Sequence, residues 1–114
     1  MKKKIAILLP YKEKYTLNDA AAASIWVKDY LKKSKLKKQT MVFGNLPEKY
    51  KPLTNNFVNI NLSNIRFKKN YFYTKKFHEY CSNFKFEVIE IHNRPESLIF
   101  LLKKKLNSKF IIII

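Results

Sequence analysis

At 114 residues the chain is at most one domain, and with 46% hydrophobic and 15% aromatic residues it has the apolar area for a core, which excludes a disordered segment. The net charge of +16 is carried almost wholly by lysine, Arg66 and Arg94 being the only arginines. Cys81 is the single cysteine, which excludes an intrachain disulfide framework and a cysteine-rich metal site and fits a reducing cytoplasm.

Taken in order, residues 4–9 form a continuous apolar run, as expected of a parallel strand covered on both faces. The apolar part of the start is too short for a signal sequence, and no run approaches the roughly 18 apolar residues of a membrane span. Pro10 ends the strand, and 10–17 read as a polar loop. A helix is predicted over about 18–33, with Thr16, Asn18 and Asp19 offering caps and Ile25, Trp26, Tyr30 and Leu31 an apolar face. Residues 39–43 read as a second strand, 45–56 as a loop, and 57–62 as an alternating, edge-like third strand. Helical spacing over 70–82 joins Tyr71, Phe72, Tyr73, Phe77, Tyr80 and Cys81. A fourth strand covers 86–92, a helix about 95–106, and a fifth strand 109–114.

This order predicts an α/β, Rossmann-like, doubly wound and mostly parallel sheet of about five strands with helices on both faces. A single domain spans 1–114. Its closing FIIII is a wholly apolar strand with nothing to cover it, so the expectation is that the chain is the front part of a longer protein.

The polar groups that follow the fourth strand are the main candidate site. Side chains alternate along a strand, so Glu90 and His92 share a face at its carboxyl end, and a carboxylate two residues before a histidine can orient it. Pro95 disfavours helical geometry at Arg94, which makes Arg94 the cap; Asn93 as cap would instead put Glu96 at the capping-box position. Arg94 there can hold a phosphate or a sugar hydroxyl. The plainer reading is that these residues only start a helix and that His92 is a polar strand end.

The first strand-to-helix turn is the second candidate. It has no Gly-x-Gly-x-x-Gly, and Gly44 is the only glycine in the chain, which argues against dinucleotide binding and a P-loop. Asn18 and Asp19 can meet a polar ligand there or serve only as caps. No His, Cys, Asp or Glu cluster has metal-ligand spacing, and no cofactor is expected. The aromatic and basic residues around Tyr71–Tyr73 mimic a nucleic-acid patch, but their helical spacing suits a core stripe, as does Trp26. The lysine excess has two readings: a surface for nucleic acid, anionic lipid or phosphorylated ligands, or the codon bias of an AT-rich genome. The scarcity of arginine weighs against nucleic acid.

Three segments carry a family resemblance: KKIAILLP, LNDAAAASIWVKDYL, and FEVIEIHNRPESLIFLLKKKL followed by KFIIII. Together they resemble the amino-terminal half of GT-B glycosyltransferases, especially the family-4 group. The resemblance implies retaining transfer of a sugar from a nucleotide-sugar to an acceptor, here a cell-envelope glycan or lipid-linked sugar. It implies an acceptor-side domain that is inactive alone, with the donor held mainly by a second domain. His92, Asn93 and Arg94 become cleft residues beside Glu90, with His92 a catalytic candidate. Asn18-Asp19-Ala20-Ala21 stands where the family often has glycines near the donor phosphates. Such enzymes are cytoplasmic and commonly dock on the inner face of a membrane through a basic surface. The competing reading is a stand-alone, basic flavodoxin-like module that binds RNA or a protein partner.

Overall fold

The computed structural model describes residues 3–17, 22–104 and 106–113. Among the described residues five strands and three α-helices follow in the order β1 (Ile5–Leu8), α1 (Ala22–Lys33), β2 (Thr40–Gly44), β3 (Phe57–Asn59), α2 (Lys69–Phe84), β4 (Val88–His92), α3 (Pro95–Leu102) and β5 (Lys109–Ile113). All pairings are parallel, and the spatial order is β3-β2-β1-β4-β5. This is the Rossmann order; the flavodoxin-like order would place β2 at the edge, so that part of the competing reading is corrected. Successive strands run outward from β1 to β3, and β4 and β5 then lie on its other side. The order therefore reverses between β1 and β4, where open α/β sheets bind ligands.

The strands divide their side chains between two cores, one on each face. Ala6 and Leu8 of β1, Phe43 of β2 and Ile89 and Ile91 of β4 join Tyr73, Phe77 and Cys81 of α2 and Leu101 of α3. Phe43 is the hub, with Phe77, Tyr80 and Phe86 edge-on at centroid distances of 4.9, 5.4 and 5.8 Å. On the other face, Ile7, Leu9 and Val42 pack against Val27 and Leu31 of α1.

Several elements differ from the sequence reading. The start of the first helix, with Asn18 and Asp19, lies outside the described residues. The buried stripe of α1 is Ser24, Val27 and Leu31; of the four residues expected on its inner face only Leu31 is there. Ile25, Trp26 and Tyr30 are 48%, 44% and 37% exposed, and Trp26 stacks on Tyr30 at 5.4 Å. Ser24 takes the inner position because it is small and its hydroxyl reaches the Glu13 carboxylate at 3.5 Å. The loop read as polar buries Tyr15, which stacks on Phe57 at 5.5 Å and joins the α1-side core. Gly44 makes room for that stack, since a Cβ there would meet the Phe57 ring at 2.9 Å.

A 3-10 turn over Lys37–Gln39 precedes β2, so Gln39 is not in the strand. The third strand keeps three residues, although Ile60 still donates its N–H to the Gly44 carbonyl at 2.7 Å. Residues 86–87 stay outside the β4 ladder, Phe86 having turned into the core below. The third helix stops at Leu102, because Leu106 packs on the core from the return to β5. At the end of α2, Lys85 sits in the left-handed region at φ 50° and gives its N–H to the Cys81 carbonyl, the role glycine usually fills.

Candidate functional site

Because every strand is parallel, all the carboxyl ends lie along one rim, and the loops that follow them converge there. At the end of β4, Glu90 stands in register with Ile7 and therefore faces the α1 side, as does His92 two residues on. His92 Nε2 lies 2.8 Å from Glu90 Oε2. This contact ties the imidazole to the carboxylate of its own strand. The imidazole is 2% exposed, with the Trp26 ring 5.3 Å away and tilted over it. The sequence reading had this side chain protruding into a cleft; it is instead enclosed by the strand and α1.

Asn93 adopts φ 54°, a left-handed conformation that asparagine tolerates, and is exposed. Its N–H donates to the Ile113 carbonyl at 2.6 Å, tying β5 to the end of β4. The chain turns here, so that Arg94 meets a different set of neighbours from His92. Arg94 caps α3 with Pro95 in the first turn, and no side chain bonds the cap. Its guanidinium lies 5.5 Å from the Tyr11 ring centroid and 3.8 Å from the Glu96 carboxylate, with the side chain 31% exposed. Arg94 Nε is buried without a hydrogen-bond partner, as is Asn70 Oδ1. Asn70 reaches Ser97 Oγ at 3.3 Å and Glu96 at 3.4 Å, so the two orphaned atoms flank one polar cluster at the starts of α2 and α3.

Tyr11 links this cluster to the rest of the rim. Its ring lies 6.1 Å from that of Tyr73, whose hydroxyl donates to the Leu9 carbonyl at 2.5 Å. Burial, and then the negative charge of Glu13, push the Tyr73 phenol well above its ordinary value. Tyr11 also lines a cavity of about 740 Å³, walled by the segments that leave β1, β2 and β3 and by the first residue of α2. Lys12, Lys14 and Lys69 line it, along with Asn45, Asn59 and Asn61.

The sequence reading missed this cavity. None of its residues forms a motif, and their only signal is position directly after three parallel strands. The four residues singled out at the end of β4 are neighbours in sequence but divide in space: Glu90 and His92 face the α1 side, Asn93 is exposed, and Arg94 lies beside Tyr11. Among the described residues no group of His, Cys, Asp or Glu can hold a metal ion, and no helix is long and apolar enough to cross a membrane. Compared with protein-family models, curated proteins and solved structures, the chain matches none.

Proposed function

We propose that this chain is the acceptor-side domain of a glycosyltransferase that moves a sugar from a nucleotide-sugar to a glycan or lipid-linked acceptor. One observation carries the reading: at the carboxyl rim of a parallel sheet Tyr11 both meets the Arg94 guanidinium and lines a cavity that bears lysines and asparagines. A hydroxyl-rich acceptor needs such a surface, with hydrogen-bonding groups spread along a groove and an aromatic wall for ring carbons. The first strand-to-helix turn has no glycine through which a backbone could approach a diphosphate, so the reading assigns the nucleotide-sugar mainly to a second domain. No cofactor enters it. The +16 charge would favour contact with an anionic membrane, where a lipid-linked acceptor resides.

Within this reading Arg94 binds the acceptor directly. His92, held by Glu90 and covered by Trp26, positions the β4 end from which Asn93 and Arg94 project. The test is sugar transfer from radiolabelled nucleotide-sugars to membrane lipid acceptors by the full-length protein. Arg94→Ala should lower kcat/KM at least about tenfold, the loss expected of one charge-assisted contact, with an unchanged melting temperature. His92→Ala should lower both activity and stability, since it opens a buried site. Unchanged turnover in both variants would reject the assignment.

A further inference from the structure

We infer that the cavity beside Tyr11 is a binding site for a small polyol that carries a phosphate ester. This goes beyond the sugar-transfer reading by naming a ligand class, and binding can be measured whether or not any sugar is transferred.

Size comes first. About 740 Å³ lies within the range of roughly 300–1,000 Å³ typical of small-molecule sites. Charge comes second. Three lysines line the cavity against one carboxylate, Glu48. Lys14 is held in place, its ammonium 3.3 Å from the Tyr50 hydroxyl and 4.8 Å from that ring's centroid. Lys69 opens the 16-residue helix α2, whose amino-terminal dipole adds to its charge, and makes no ion pair among the described residues. The cavity therefore selects an anion.

The amides supply the third argument. Each asparagine spends one amide atom on fixing a loop and keeps the other. Asn59 Oδ1 accepts from the Leu46 N–H at 2.8 Å, and Asn61 Oδ1 from the Ser63 N–H at 2.9 Å, which leaves two amide nitrogens as donors. Asn45 Nδ2 donates to the Ile60 carbonyl at 2.8 Å, which leaves its oxygen as an acceptor. Donors and an acceptor on loops already locked in place suit hydroxyl groups, which both give and take hydrogen bonds. Leu62 and Ile65, with the Tyr11 ring, offer apolar surface for a carbon skeleton. A bare inorganic anion would use the lysines and leave the amides and this surface idle. A nucleoside diphosphate would need the glycine-rich backbone cradle that the chain lacks.

The experiment is a two-dimensional amide NMR titration of the chain with glucose 6-phosphate, inorganic phosphate and glucose. Glucose 6-phosphate should produce saturable shifts centred on residues 45–48 and 59–63 and bind about tenfold tighter than inorganic phosphate, with glucose alone causing none at the same concentrations. Lys69→Ala and Lys12→Ala, both at exposed positions, should each weaken binding about tenfold, while Lys35→Ala, in the turn that follows α1, should not. Vesicles of phosphatidylcholine containing phosphatidylinositol form a further arm. If they displace glucose 6-phosphate, the phosphate-bearing polyol is a lipid headgroup; if they do not, it is a soluble phosphosugar, and both results support the site. Shifts spread over all lysine-bearing surfaces, equal losses in Lys69→Ala and Lys35→Ala, or equal affinity for inorganic phosphate would overturn the inference. Because none of these readouts involves transfer, loss of the sugar-transfer reading and loss of this site are separate results.

Discussion

Replacing Tyr73 by phenylalanine removes one oxygen atom from the centre of the molecule. That hydroxyl donates to the Leu9 carbonyl at 2.5 Å and lies 3.3 Å from the Phe43 carbonyl, at the carboxyl ends of β1 and β2. Leu9 and Phe43 are fully buried, so the Leu9 carbonyl has no water to take the donor's place. Leaving a buried acceptor without its partner costs about 1–3 kcal/mol. For 114 residues, with an unfolding entropy of about 2.1 cal/mol/K per residue, each kcal/mol lowers the melting temperature by about 4 °C. Tyr73→Phe should therefore melt about 4–12 °C lower than the parent by circular dichroism at neutral pH. Tyr15→Phe serves as the comparison, because its hydroxyl meets the part-buried Thr54 hydroxyl at 3.0 Å and loses less. The pH dependence follows from the same burial. The phenol of Tyr73 is raised well above 10.0 in the folded chain, first by desolvation and then by Glu13. The folded state thus holds the proton more tightly than the unfolded state, and its contribution is complete below the ordinary phenol value. It is lost as pH rises through and above that value, and Tyr73→Phe should lose less stability over that alkaline window. A Tyr73→Phe chain that melts within about 1 °C of the parent would refute this account of the carbonyls.

Cys81 is buried, and its thiol is pushed up from 9.0 to about 12 by desolvation, so a thiolate-specific reagent should label it only at the rate of unfolding. Fast labelling of the native chain at neutral pH would contradict that burial. Gly44→Ala should cost about 1 kcal/mol in chemical denaturation, by displacing the Phe57 ring from its stack on Tyr15; an unchanged midpoint would show that the ring yields freely. Lys85→Gly should raise stability by about 0.5–1 kcal/mol, because glycine adopts the left-handed cap at φ 50° without a Cβ clash. A lower melting temperature in that variant would mean that the lysine side chain contributes more than its backbone costs.

The architecture was legible in the sequence because it depends on local patterns. The run Ile5–Leu8 is apolar on both faces, as a covered parallel strand requires, and Val88–His92 alternates Ile89 and Ile91 with Val88, Glu90 and His92 in the period of a strand. Pro95 after Arg94 marked the start of α3 because a proline ring restricts the residue before it. The pairing of Glu90 with His92 was legible for the same reason: alternation along a strand is a property of the backbone. The rotation of a helix about its own axis is not. Sequence favoured Ile25, Trp26, Tyr30 and Leu31 for the inner face of α1, yet the inner stripe is Ser24, Val27 and Leu31, so that of the four only Leu31 faces the core. That rotation sets Trp26 over His92 and encloses an imidazole expected in the open.

Residues that are neighbours in the chain fix which segments become strands and helices, because propensity, alternation and proline geometry act over a few residues. The cavity beside Tyr11 has no such origin. Lys12, Asn45, Asn59 and Lys69 come from separate segments of the chain, and only the parallel order β3-β2-β1-β4-β5 brings the ends of three strands and the start of α2 to one rim. Strand identity was settled by short-range sequence; the meeting of these side chains was settled by the pairing of strands across the sheet.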